Sequence, residues 1–78
     1  MRVRLRHFAL LREALGESAR REVAPGTTVA ALWRAVVREH PELRSVPVRF
    51  AVREAYVGDD HVLADGDEVA VFPPVSGG

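Results

Sequence analysis

Val29, Leu32, Trp33, Val36 and Val37 recur at i, i+3, i+4, i+7 and i+8, the spacing of a helix with one apolar stripe. Arg34, Arg38 and Glu39 fall on the outer side. Thr27 or Thr28 supplies an N-cap, and Pro41 forbids a clean continuation past His40. A helix from Val29 to about His40 must bury that stripe, and the rest of the chain offers mainly strands. Val3 and Leu5 alternate with Arg2, Arg4 and Arg6, the period-2 sign of a strand with one buried face. Val48 to Arg53 alternates again, and Val69-Ala70-Val71-Phe72 is nearly continuous in apolar residues. That last run is predicted as a central strand buried on both faces. One main helix over a four- or five-stranded sheet gives a two-layer α+β domain.

The remaining segments fit around that plan. Phe8 to Leu15 switches to helical spacing and stops at Gly16. Ser18 to Ala24 is polar and is predicted as an edge strand, closed by a Pro25-Gly26 turn. Glu42 to Pro47 is an irregular link with Leu43 tucked inward. Glu54 to Asp60 carries Tyr56 and Val57 into a turn at Gly58-Asp59-Asp60, and a short strand is expected before the last one. Both terminal strands are apolar, so they are expected to pair centrally and in parallel.

Composition excludes several functions. The 11 basic and 11 acidic residues cancel, which argues against nucleic-acid or membrane binding through bulk charge. No apolar run approaches the ~18 residues of a membrane span, and the basic, alternating start lacks the apolar stretch of a signal peptide. The expected compartment is the cytoplasm. Cysteine is absent, so no side-chain thiolate can bind metal or carry a persulfide. Every basic residue is arginine, which removes Schiff-base chemistry and any internal lysine acceptor.

The three histidines, His7, His40 and His61, lack metal-ligand spacing, and no metal is expected. His7 shares parity with Val3 and Leu5 and is expected to be half buried. Asp59, Asp60, Asp65, Asp67 and Glu68 read as two solvated turns, without the spacing of a calcium loop. No Ser-His-Asp set or glycine-rich phosphate loop occurs, so a free-standing enzyme is not expected.

The sequence closes on Pro73-Pro74-Val75-Ser76-Gly77-Gly78. Two prolines favour an extended segment of about 3.1 Å per residue. Glycine has no Cβ, so Gly77 and Gly78 can thread a channel too narrow for other residues. The expectation is a domain over residues 1–74 and a flexible reactive tail over 75–78, with the Gly78 carboxylate as the reacting group. Phe8 and Phe72 lie off the parity of their strands' buried residues. If those strands pair, both rings point away from the helix, beside the tail, where an apolar cluster would mark a docking surface.

Gly66-Asp67-Glu68-Val69-Ala70-Val71-Phe72, followed by that tail, resembles the end of the molybdopterin synthase small-subunit family of ubiquitin-like sulfur carriers. Phe8 to Gly16 resembles the family's first strand-to-helix segment. Val52-Arg53-Glu54 departs from it, since the family often has asparagine after the valine. The resemblance implies a β-grasp fold with a mixed sheet, and a non-catalytic, sulfur-donating subunit of a transferase complex. It implies that an E1-like activating enzyme uses ATP to adenylate Gly78. Sulfur from a donor then replaces AMP, giving a thiocarboxylate that the large subunit uses on cyclic pyranopterin monophosphate. No bound cofactor is implied for the carrier itself. Phe72, Phe8 and Tyr56 become the implied partner contacts, with Arg12 a possible polar one. The same activated tail would also serve a protein modifier, or a carrier for thiamine or tRNA thiolation.

Overall fold

A computed structural model describes residues 1–74 of the chain. The elements are β1 (Arg2–His7), α1 (Leu10–Leu15), β2 (Ser18–Glu22), α2 (Val29–Glu39), β3 (Arg49–Val52), β4 (Ala55–Val57) and β5 (Glu68–Phe72), with a 3-10 turn over Pro41–Leu43. The strands form one sheet in the order β2-β1-β5-β3-β4. β1 and β5 are parallel at its centre, with His7 opposite Val71, and the other pairings are antiparallel. α2 connects the β1–β2 hairpin to β3 and covers one face. This is the β-grasp arrangement, and both terminal strands pair as expected.

α2 begins where the sequence placed it. The Thr28 hydroxyl accepts the Ala31 N–H at 3.1 Å, satisfying one of the helix's otherwise unpaired donors. Val29, Leu32, Trp33 and Val36 are buried, while Val37 is half buried at the stripe's margin. They pack against Val3, Leu5, Phe50, Val52, Val69 and Val71, and Leu43 and Leu63 close the ends of the same core.

Four local expectations are corrected. The first helix starts at Leu10, not Phe8. The Phe8 N–H still donates to the Val71 carbonyl at 3.2 Å, so the chain stays in the sheet one residue longer. The turn then falls on Ala9, which takes φ of 55°. β5 is central but fully buried only on its helix side; among the described residues no second layer packs on the other face, where Ala70 and Phe72 are half buried. His7 is almost fully buried rather than half buried, with Nδ1 3.0 Å from the Gly16 carbonyl. Asp67 is not solvated. Its carboxylate is buried, accepting the Ala64 N–H at 2.8 Å and the Arg53 guanidinium at 2.8 Å.

The β3–β4 hairpin explains the departure at Arg53. Arg53 and Glu54 both lie at positive φ, 52° and 66°, in a two-residue turn between paired Val52 and Ala55. Such turns favour asparagine or glycine, whose steric penalty there is small. In this chain arginine takes the position, and its side chain reaches Asp67.

Candidate functional site

Parity decides which side chains reach the open face of the sheet. Val3, Leu5 and His7 of β1 and Val69 and Val71 of β5 point toward the helix. Phe8 and Phe72 therefore point away. Their rings meet edge to face, with centroids 6.4 Å apart and planes at 86°. In the adjoining ladder Arg49 lies opposite Phe72, and Ala51 opposite Tyr56. Tyr56 reaches over from the edge strand to Phe72, at a centroid distance of 5.6 Å. Phe72 is thus the middle ring of three, and the structure brings together Phe8, Phe72 and Tyr56.

Two cations flank the rings. The Arg6 guanidinium lies 5.4 Å from the Phe8 centroid, and Arg49 lies 5.7 Å from that of Tyr56. Exposed cation–π contacts of this kind contribute about 0.5–1 kcal/mol each, enough to bias the rings' positions. Phe8 remains 38% exposed and Tyr56 66%. Neither arginine carried a sequence signal, because each meets its ring only through the tertiary arrangement of the sheet.

Pro73 and Pro74 follow Phe72 directly, half buried and exposed respectively, so the chain leaves the sheet beside the rings. Val75, Ser76, Gly77 and Gly78, with the expectation that they are mobile, lie outside the described residues. Arg12 sits exposed on α1. Its carbonyl accepts the Gly16 N–H at 2.8 Å, but among the described residues its guanidinium makes no ion pair or hydrogen bond. The structure does not tie it to the aromatic cluster.

One displaced pair of titratable groups lies on the helix side. Two hydrogen bonds from Arg21 of β2 hold the Glu39 carboxyl below its usual range, aided by the guanidinium charge. The same hydrogen bonds raise Arg21. Among the described residues no group of three or more histidine or acidic side chains is placed to hold a metal ion. The open face thus presents partly exposed aromatic rings between two guanidinium groups, next to Pro73 and Pro74.

Fold and site together define a ubiquitin-like β-grasp domain with an exposed aromatic patch where its C-terminal segment departs. The ThiS family pattern matches residues 5–78, and the chain belongs to that family. It is 38% identical over 80 residues to the molybdopterin synthase sulfur carrier subunit of Escherichia coli (strain K12), covering 97% of this chain and 99% of that one. The crystal structure of small archaeal modifier protein 1 from H. volcanii superposes with a TM-score of 0.84 at 28% identity, covering 95% and 98% of the two chains. A chain in the complex of subunits 1 and 2 of the molybdopterin-converting factor from Helicobacter pylori matches with a TM-score of 0.70 at 26% identity, over 100% of both.

Proposed function

We propose that this chain carries sulfur on the carboxyl group of Gly78 and gives it to cyclic pyranopterin monophosphate within molybdopterin synthase. The observation that carries this reading is the Phe8–Phe72–Tyr56 cluster at the point where the tail leaves the sheet. A large subunit that covers the rings would have the tail aimed into it. The Escherichia coli relative and the two-subunit Helicobacter pylori complex support that partner.

The chemistry is that of a terminal carboxylate. With a reference pKa of about 3.5, it is ionised near neutrality and can attack the α-phosphorus of ATP, releasing pyrophosphate. An E1-like activating enzyme holds the nucleotide. Sulfur from a donor then attacks the acyl carbon and AMP leaves, so the terminus becomes a thiocarboxylate. Proline favours extended backbone, which suits Pro73 and Pro74 to lead into such a reaction, and glycine, with no Cβ, suits a narrow channel at Gly77 and Gly78. We place the exchange in the cytoplasm; among the described residues no helix is long and apolar enough to cross a membrane.

Intact mass after incubation with activating enzyme, ATP and a sulfur source should show one oxygen replaced by sulfur. Pterin product should then appear on adding the large subunit. Deleting Gly78, or adding alanine after it, should abolish transfer with the fold intact, because even ~1 Å of misplacement is costly at a reacting atom. Normal transfer by the extended chain would overturn the reading. The likeness to a small archaeal modifier favours a second use, conjugation of the same activated tail to lysines of other proteins. Isopeptide adducts with those lysines would report it.

A further inference from the structure

A groove on the opposite side of the domain shares no residue with the aromatic cluster. It runs between the C-terminal half of α2 and the segment leading into β3, with a volume of about 600 Å³. Trp33 forms its floor, buried and packed edge-on against Phe50 at 6.3 Å. Val37, Val46 and Val48 line it and are only half buried. Arg34, Arg38 and Arg44 stand on its rim, all exposed.

The rim is the unusual part. Arg34 and Arg38 are four residues apart on one helix, a spacing at which like charges repel. Among the described residues no carboxylate pairs with any of the three arginines. The nearest acids in sequence are turned elsewhere, Glu39 to Arg21 and Glu42 to His40. A location near the helix C-terminus accounts for Arg38 alone. Three uncompensated guanidiniums around an apolar floor fit a ligand with the reverse pattern.

We propose that this groove binds a short, extended acidic segment of a partner protein, with aliphatic side chains on Trp33 and carboxylates on Arg34, Arg38 and Arg44. Guanidinium forks bind carboxylates bidentately, which gives such a segment orientation as well as attraction. The groove opens on the helix side and the rings on the open side, so the segment can bind while the tail is engaged. A second copy of the chain offers exposed Val62 among Asp59, Asp60 and Asp65. That contact would offer a single exposed valine to a floor made by Trp33, Val37, Val46 and Val48, so a separate partner with more aliphatic side chains fits better.

The test is an NMR amide titration of the whole chain with a capped octapeptide, Asp-Glu-Asp-Leu-Leu-Glu-Asp-Glu. Saturable shifts are expected at the Trp33 indole and at Val37, Val46 and Val48, weakening as salt rises. The double variant Arg34→Glu, Arg38→Glu should lose affinity by about tenfold or more while keeping a dispersed spectrum, and Arg34→Gln should lose less. Phe72→Ala should bind the peptide normally, which separates this site from the tail's docking face. The proposal is overturned by no saturable shift at millimolar peptide. It is equally overturned if alanines replace the leucines without loss, or if the shifts fall at Phe8 and Phe72. Concentration-dependent shifts at Val62 without peptide would assign the groove to a second copy instead.

Discussion

The two faces of the sheet are made from the same strands and do opposite work. On the helix side, Val69 and Val71 of β5 are fully buried, with Val3, Leu5, Phe50 and Val52 beside them. On the open side, Phe72 of the same strand is half buried and its neighbour Tyr56 is 66% exposed. The helix face removes apolar area from water, at about 25 cal/mol per Å², and this stabilises the domain. The open face keeps three large rings partly in water, braced by one another and by Arg6 and Arg49. Apolar surface left in water in this way adds less to stability than the buried face does, and under the proposed function a partner would cover it. Alternation along a strand therefore separates buried from partly exposed apolar side chains, one residue at a time.

Substitutions on the two faces should separate in the same way. The largest expected effect is on the helix face. Leu32→Ala removes a buried side chain under the sheet and should destabilise by about 3 kcal/mol, measured by urea unfolding with Trp33 fluorescence. A loss under about 1 kcal/mol would mean that the core collapses around the change and the contrast is overstated. Next comes the open face. Phe72→Ala should weaken binding to the large subunit by about 2 kcal/mol, roughly 30-fold in Kd, with only a small fall in melting temperature. Titration calorimetry and thermal melting on the same protein decide the matter; unchanged affinity with a large melting loss would move Phe72 into the core.

A smaller effect is expected at the start of β5, where the polar pair replaces the rings. Asp67→Ala removes the carboxylate that accepts from the Ala64 N–H and from Arg53, in a turn whose other residues are exposed, and should destabilise by about 1 kcal/mol. Arg53→Asn sets two effects against each other. It removes a bond to a buried carboxylate but relaxes a residue held at φ of 52°. The two are similar in size, so the net change should be within about 0.5 kcal/mol, and chemical denaturation of both variants would show it.

Much of this contrast was legible in the sequence. The α2 stripe and the parity of Val3, Leu5, Val69 and Val71 are periodic signals, and they placed helix, sheet and core. The same parity put Phe8 and Phe72 on the far face. Tyr56 came from the family resemblance, because Glu54 to Asp60 carries no alternation strong enough to place it. Its hairpin turn lacks glycine or asparagine at Arg53 and Glu54, so the tight reversal gave no local sign. The burial of Asp67 was hidden because Asp65-Gly66-Asp67 reads as an exposed turn, while that burial depends on Arg53, 14 residues away. Arg6 and Arg49 were hidden for a related reason: their rings are reached only in the folded sheet.

The smallest expected effect tests whether the rim of the helix face is electrostatically independent of the rings. Glu39 is ionised more readily in the folded chain than its ordinary value implies, because Arg21 donates to both carboxylate oxygens. Its contribution is therefore fully present above the ordinary glutamate pKa of about 4.3 and is lost as pH falls through the lower folded value. Arg21 is raised, so its share persists throughout the neutral and acidic range and fades only at extreme alkaline pH. Glu39 is exposed and screened, so the pair adds little even at neutrality. Glu39→Gln should melt slightly below the native chain near pH 7, and the gap should close as pH falls below the ordinary glutamate range and shrink in high salt. Affinity for the large subunit should not change at any of these conditions. A gap that stays constant at low pH would mean that the substitution disturbs the packing of α2 instead, and a change in affinity would mean that the two faces are coupled.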